Sequence, residues 1–364
     1  MDERDYWLGF STVSGIGPAK FRKLLQEFGT AKAAWKAKRL DFSIEKYLEE
    51  LKKKDVWFLT LLDDDYPELL KQIKNPPFVL YGRGGPVKSN PSRQGSSSAS
   101  LRVHAVGSPS SFATPQPTIA VVGARRTTQY GREVTKFLTA ELVASGLTIV
   151  SGLALGVDAV SHVTALENNG KTIAVLGCGV DCCNPRENQS IYDDILKSGN
   201  CIVSEFPLGM KPTQWTFPAR NRIIAGLSQA VLVTEGAEDS GSLITAKFAL
   251  SFGRRVFAVP GPIMSLMSRG PYALIQKGAK LVTSGEDVIS KLKISNFKFP
   301  ISKKTKIKGT KDENMILKLL ENEPLHFDEL VRKTKFDSAK LSGILSLLEI
   351  KGLIKTSGGG IFSV

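Results

Sequence analysis

Histidine and cysteine are scarce in this chain: three histidines and four cysteines in 364 residues. His104, His162 and His326 are scattered, and Cys178, Cys182, Cys183 and Cys201 form no C-x-x-C pair. A zinc centre needs clustered ligands, so none is expected, and the cysteines read as thiols of a reduced compartment. No uninterrupted apolar run reaches the ~18 residues of a membrane span. The opening Met1-Asp2-Glu3-Arg4-Asp5 lacks the apolar core of a secretory signal, so a cytoplasmic location is expected. Acids are also in deficit. Asp and Glu number 35 against 49 Lys and Arg, a net +14. That excess favours a polyanionic partner, nucleic acid before an acidic membrane surface. Nucleotide fingerprints are missing too. There is no Walker A sequence, and the nearest approach to G-x-G-x-x-G, Gly177-Cys178-Gly179-Val180-Asp181-Cys182, ends in cysteine. NAD and ATP are therefore excluded, and no cofactor is expected.

Six short apolar runs organise the middle of the chain. They are Ile119–Val122, Leu147–Val150, Thr172–Leu176, Cys201–Ser204, Ala230–Val233 and Val256–Val259, with helix-period segments between them. Apolar runs without alternation read as strands buried on both faces, and their alternation with helices gives a parallel sheet. The expectation is an extended Rossmann-like, doubly wound α/β domain over residues 118–292. Ligands of such sheets bind beyond the carboxyl ends of the strands, where the Gly, Ser and Arg residues of this chain fall.

Around that domain the composition changes. Residues 1–83 read as a small helical domain with an adapter. Ser14-Gly15-Ile16-Gly17-Pro18 is a tight turn before a helix that Gly29 ends, a pattern similar to a helix-hairpin-helix. Contact with a phosphate through the turn and simple helical packing are both open there. Residues 84–117 are rich in Ser, Pro and Gly and read as a low-complexity linker. Residues 293–311 carry seven lysines and no acid, a basic tether. Residues 312–364 hold three amphipathic patterns and a glycine-rich hairpin, the layout of a winged helix; a DNA role and a protein-contact role are both open.

Candidate binding residues follow the strands. Gly123, with Arg125 and Arg126, ends the first run; glycine admits a close backbone approach, and arginine offers a planar fork for phosphate. The next helix starts near Thr127-Thr128, so its free amides are expected to face the same spot. Ser151 and Gly152 end the second run, and Ser240, Gly241 and Ser242 precede a later helix. These supply amides and hydroxyls, or only helix caps. Phe217-Pro218-Ala219-Arg220-Asn221-Arg222 sets two arginines and an amide beside Trp215 and Phe217, with Lys211 upstream. Cations interleaved with aromatics suit single-stranded nucleic acid, and one of the two rings is expected in the core. Asp158 and His162, four residues apart on one helix with Ser151 nearby, could imitate a hydrolase triad. No G-x-S-x-G elbow accompanies them, and a structural histidine is the expectation.

Taken together, Gly123-Ala124-Arg125, Ser151–Asp158 with His162, Phe217–Gly226, Ser240–Ala246 and Val256–Gly261 resemble the DNA-processing protein A (DprA/Smf) family. The resemblance is strong from Ile119 to about Val288. It implies a domain that binds single-stranded DNA in a basic pocket, loads the RecA recombinase during natural transformation, forms a homodimer through the Rossmann-like domain, and has no catalytic activity. Carried over by motif, the phosphate-holding residues are Arg125, Arg186, Arg220 and Arg222, with Asn221 beside them. Ala124, Asn184 and Tyr272 depart from the usual serine, tyrosine and asparagine. The rival class is an enzyme, a Rossmann phosphoribohydrolase; its P-G-G-x-G-T-x-x-E motif is not matched by Thr234–Gly241. A protein adaptor is the third.

Overall fold

The computed structural model describes residues 1–85, 117–292, 310–351, 353–357 and 359–363. Most of the Ser-rich linker and of the lysine tether lie outside the described residues. Two compact units are present, Met1–Phe299 and Pro300–Val364.

The first unit is built on one nine-stranded sheet, in which β1 (Val56–Thr60) and β2 (Val79–Gly84) lie at one edge, followed in order by β6 (Cys201–Ser204), β5 (Thr172–Val175), β4 (Thr148–Ser151), β3 (Thr118–Val122), β7 (Ala230–Val233), β8 (Arg255–Ala258) and the short β9 (Lys280–Leu281). The strands β3 to β9 are parallel. The first six of these are the six apolar runs. The chain winds from β3 outward to β6, then returns to the other side of β3 with β7, β8 and β9, so the order reverses between β3 and β7.

The strands β3 to β8 are buried on both faces, and the two faces feed different cores. Ile119, Val121, Ile149, Ala230, Leu232 and Phe257 form one cluster; Ala120, Val122, Val150, Val231, Val233 and Ala258 form the other. This period of two within an unbroken apolar run is the signature of a central strand covered by helices on each side. The first face packs on Leu138, Leu142 and Val143 of α6 (Gln129–Ala144) and on Val288 and Ile289 of α12 (Gly285–Leu292). The second packs on Ile223 and Ile224 of α9 (Thr216–Gly226) and on Ala246 and Ala249 of α10 (Ser242–Ser251). Helices α7 (Val157–Glu167), α8 (Gln189–Lys197) and α11 (Arg269–Gln276) complete the layers.

The N-terminal segment is helical, as its pattern indicates, with α1 (Glu3–Thr12), α2 (Pro18–Phe28), α3 (Ala31–Lys38), α4 (Ile44–Lys53) and the one-turn α5 (Glu68–Lys71). It also supplies two strands that the reading of residues 1–83 as a helical domain with an adapter does not include. β2 (Val79–Gly84) pairs antiparallel with β6, and β1 (Val56–Thr60) pairs antiparallel with β2. Val56, Phe58, Val79 and Tyr81 cover an aromatic core of Phe10, Phe21, Trp35 and Tyr47, where Phe21 and Phe78 stack at 4.2 Å.

The second unit contains α13 (Lys311–Leu320), α14 (Phe327–Thr334) and α15 (Ser338–Ile350), with a three-stranded sheet in the order β10 (Leu325–His326), β12 (Ile361–Ser363), β11 (Lys355–Ser357). Ile316, Leu320, Leu330, Leu341, Leu345 and Leu348 form its core. This is the winged-helix arrangement of its sequence pattern.

Candidate nucleic-acid interface

The loops after β3, β4 and β5 meet the first turn of α9 at the carboxyl edge of the sheet. They enclose a pocket of about 80 Å³. Arg125 lines it from the first loop, Gly152, Ala154 and Leu155 from the second, and Gly177, Cys178, Asn184 and Pro185 from the third. Phe217 and Arg220 enter from α9.

Two arginines give the pocket its charge. Arg125 is exposed, and its guanidinium lies over the Phe217 ring, 5.0 Å from the centroid. Stacking on the ring holds the fork in place while its edge stays open to a ligand. Arg220 is 4% exposed and donates from Nη1 to the carbonyls of Gly152 and Val175; its Nε has no partner. A buried cation with an unfilled donor at the base of a small cavity attracts an anion. Asp158 partly balances it. Its carboxylate accepts from the amides of Gly152 (3.1 Å) and Ala154 (3.3 Å). Burial raises the Asp158 carboxyl above its ordinary value, against the pull of Arg220 and those amides.

Gly152 is required here for a reason other than phosphate approach. Its amide is taken by Asp158, and a Cβ on it would run into the Arg220 guanidinium. Gly152→Ala is expected to displace Arg220 and cost about 1–3 kcal/mol, as overpacked sites do. Thermal melting would show the loss of stability, and oligonucleotide binding the loss of the pocket.

Glu235, at the end of β7, sets the first loop and gave no signal in the motif reading. It is 3% exposed. Its carboxylate accepts from Thr127 Oγ1 (2.8 Å), Thr128 N (2.9 Å) and Thr128 Oγ1 (2.5 Å), and its carbonyl accepts from Ala124 N (2.8 Å). An acid closing an apolar strand is the clue that could have revealed it. The Thr128 amide at the start of α6 is thus occupied by Glu235, and the Gly131 amide by Thr128 Oγ1 (3.1 Å), contrary to the expectation that amides there stand free.

The remaining candidates divide by location. Gly123 ends β3, where a Cβ would meet the Glu235 carbonyl at 2.6 Å. Arg126, Arg186 and Lys211 are exposed and do not line the pocket. Ser151 is buried with its hydroxyl donated to the Val121 carbonyl (2.7 Å), so that hydroxyl serves the sheet. Asn221 donates to the Gly241 carbonyl (3.2 Å), and Ser240 and Ser242 share a hydrogen bond of 2.8 Å, which ties this trio to α9 beside the pocket. Arg222 is turned inward: it pairs with Glu205 and donates to the Asn75 carbonyl (2.7 Å). Neither Trp215 nor Phe217 is a fully buried core ring. Trp215 is 59% exposed, and Phe217 is half-buried against Arg125. The ring expected in the core is therefore missing; Ile223 and Ile224 of α9 fill that position.

Ser151, Asp158 and His162 do not assemble as a triad: His162 meets Thr172 rather than either of the other two, and the Ser151 hydroxyl donates to the Val121 carbonyl. His162 is fully buried, with Nδ1 2.7 Å from Thr172 Oγ1 and Nε2 unpartnered. Burial, with Arg220 adding, depresses its pKa to about 3. The unfolded chain takes up this proton near pH 6.5 and the folded chain does not, so stability should fall as pH drops below 6.5, by about 1.4 kcal/mol per unit from this residue. Melting temperatures between pH 7 and 5 should show that limb, and His162→Gln should flatten it. The buried carboxyls of Asp158 and Glu205, both raised, act in the opposite sense, which is why the comparison needs the variant.

A larger hollow of about 540 Å³ lies between α7 and α8, but Glu167 and Asp194 line it with only Lys197 as a cation. Among the described residues no group of His, Cys, Asp or Glu could hold a metal ion, and no helix is long and apolar enough to cross a membrane.

Known proteins share this design. Residues 96–293 match the model of DNA recombination-mediator protein A, and residues 302–360 match the DprA winged helix domain. Protein Smf of Synechocystis is 39% identical over 311 residues, covering 80% of this chain and 73% of the relative. DNA processing protein DprA of Bacillus subtilis is 40% identical over 64% of this chain and 70% of its own. The structure of DNA processing protein A from Streptococcus pneumoniae superposes with a TM-score of 0.64 at 32% identity, covering 81% of this chain and 98% of that one. That of Helicobacter pylori, solved for its single-stranded-DNA binding mode, gives 0.52 at 27% identity over 65% and 95%. The chain belongs to the DNA recombination-mediator protein A family and carries that family's winged-helix domain after its Rossmann-like sheet.

Proposed function

We propose that this protein binds single-stranded DNA without catalytic turnover, protects incoming strands, and loads the RecA recombinase onto them during natural transformation. It acts in the cytoplasm as a homodimer through the Rossmann-like domain. The observation that carries the DNA reading is the pocket where Arg125, stacked on Phe217, stands with the unfilled donor of Arg220. Phosphate sits against the two guanidiniums, and a base can stack on the free part of the Phe217 ring. Arg126, Arg186 and Lys211 guide the backbone at the rim, while Asn221 and the Ser240–Ser242 turn shape its wall. Cations and amides carry no sequence code, so all sequences bind alike. The Helicobacter pylori relative supports the ligand class; recombinase loading and dimerisation rest on family likeness.

The enzyme alternative is weakened by Glu235. Thr234–Gly241 does not match the phosphoribohydrolase motif, and the Glu235 carboxylate is already filled by three donors from Thr127 and Thr128. The adaptor alternative would show recombinase binding without DNA binding.

Fluorescence anisotropy of labelled single-stranded and duplex oligonucleotides of equal length, across a salt series, tests the proposal. Preference for the single strand is expected, with a log–log salt slope of about −2 if Arg125, Arg186 and Lys211 each neutralise one phosphate. Equal binding to both forms would move the contact to the lysine tether and winged helix. Absence of binding, or release of free base from AMP, would overturn the proposal.

A further inference from the structure

We propose that Trp215 is a second base-stacking platform, set beside the Arg125–Phe217 pocket and used by a neighbouring nucleotide of the same strand. The inference rests on the single-stranded-DNA reading of that pocket. Four tryptophans occur in the chain. Trp7, Trp35 and Trp57 are 7%, 8% and 8% exposed, whereas Trp215 is 59% exposed. Indole is the largest apolar side chain, and leaving most of it in water forgoes a substantial burial gain. Its N–H has no hydrogen-bond partner among the described residues.

The ring is held rather than loose. Trp215 is the residue that opens α9, and the turn around it is pinned by Thr216, which is fully buried. Thr216 N donates to the Thr213 carbonyl (3.2 Å), and Thr216 Oγ1 accepts from Thr213 N (3.0 Å). The buried Phe206 meets the indole at 81°, with centroids 5.6 Å apart, and this contact fixes the plane while more than half of the residue stays open. A rigid, exposed ring loses little conformational freedom when a base stacks on it.

The surroundings select the occupant. Lys211, Thr213 and Gln214 are exposed around the ring, and no acid occurs from Phe206 to Ala219. A protein partner would want a contiguous apolar patch. A single aromatic face beside Lys211 and the Thr213 hydroxyl fits a nucleobase whose phosphates need neutralising. Phe217 lies two residues further on, in the first turn of α9, and positions i and i+2 point to different faces, so the two rings are given to different nucleotides of one strand.

The burial pattern makes the test direct, because tryptophan emission that responds to a surface ligand comes from Trp215. The full chain is titrated with an unlabelled thymidine oligonucleotide of about 15 nucleotides, within the usual range of site sizes. Anisotropy of a labelled copy follows binding in parallel. Emission should be quenched and should saturate with the anisotropy. Trp215→Phe should abolish the quench and keep affinity within about threefold, while Trp215→Ala should weaken binding about tenfold. Intact binding with unchanged emission, or an Ala variant as tight as the parent, would overturn the platform and leave the pocket standing. Absence of binding by the parent protein would overturn both.

Discussion

Glu205→Ala is expected to destabilise the first unit by about 3–5 kcal/mol, the penalty for leaving a buried charge without its partner. Glu205 and Arg222 form a close ion pair, with side chains 10% and 12% exposed. Burial raises the Glu205 carboxyl, and Arg222 only partly offsets that. Arg222 also donates to the Asn75 carbonyl, so it ties α9 both to the loop after β6 and to the segment between α5 and β2. Removing the acid leaves the guanidinium with one carbonyl and no counter-charge. Replacing the pair together, with Glu205→Leu and Arg222→Met, should recover much of the loss, because an apolar pair of similar volume needs no neutralisation. Urea melts of the three variants give the comparison. If the single Ala variant melts within about 1 kcal/mol of the parent, the pair is not the junction proposed here. The double variant should also keep oligonucleotide affinity, since Arg222 lies outside the pocket.

Arg125→Ala should lower affinity for single-stranded DNA about ten- to a hundredfold, and by the same factor for every sequence. The range corresponds to the ~1.5–3 kcal/mol of a hydrogen bond to a charged group. The salt slope should become shallower by about 0.7, one phosphate's share for a single strand. Phe217→Ala should weaken binding too, partly by freeing the Arg125 guanidinium that now rests on the ring. The double variant should then cost less than the sum of the singles, because the two side chains work as one unit. Additive losses in anisotropy titrations would mean that arginine and ring act separately. An unchanged affinity for Arg125→Ala would remove it from the interface.

The sheet was legible in the sequence because its central strands are covered on both sides. Six unbroken apolar runs became β3 to β8, and the reversal between β3 and β7 lies beside the glycine and arginine loops that the runs flank. β1 and β2 were not legible. Val56-Trp57-Phe58-Leu59-Thr60 is as apolar as the central runs, but its partner is β2 and the partner of β2 is β6, about 120 residues further on. No local pattern carries a pairing of that range. β9 is two residues long, below any periodicity.

The site was legible as a collection of residue types and not as an arrangement. Arg125 and Phe217 were recognisable as candidates from type and neighbourhood, and both line the pocket. The division of labour between Arg220 and Arg222 was not, since it is decided by the carbonyls of Gly152, Val175 and Asn75 and by Glu205. Carbonyls are the same at every position of a sequence, and only the fold says which of them converge. The same holds for Ser151, whose hydroxyl is claimed by Val121 of the next strand. Leu155 and Cys178 also line the pocket, although neither was among the candidate binding residues.

The antiparallel pairing of β2 on β6 has a practical corollary for dissection of the chain. The change of composition after residue 83 suggests a natural place to cut. A fragment that starts at Pro117 would nevertheless strip β6 of its neighbour from Tyr81 to Gly84. The row of N–H and C=O groups so uncovered is a template for joining another chain. Such a fragment would keep the pocket residues and would trade the missing ladder for self-association, so its oligomers would report the cut rather than the native assembly.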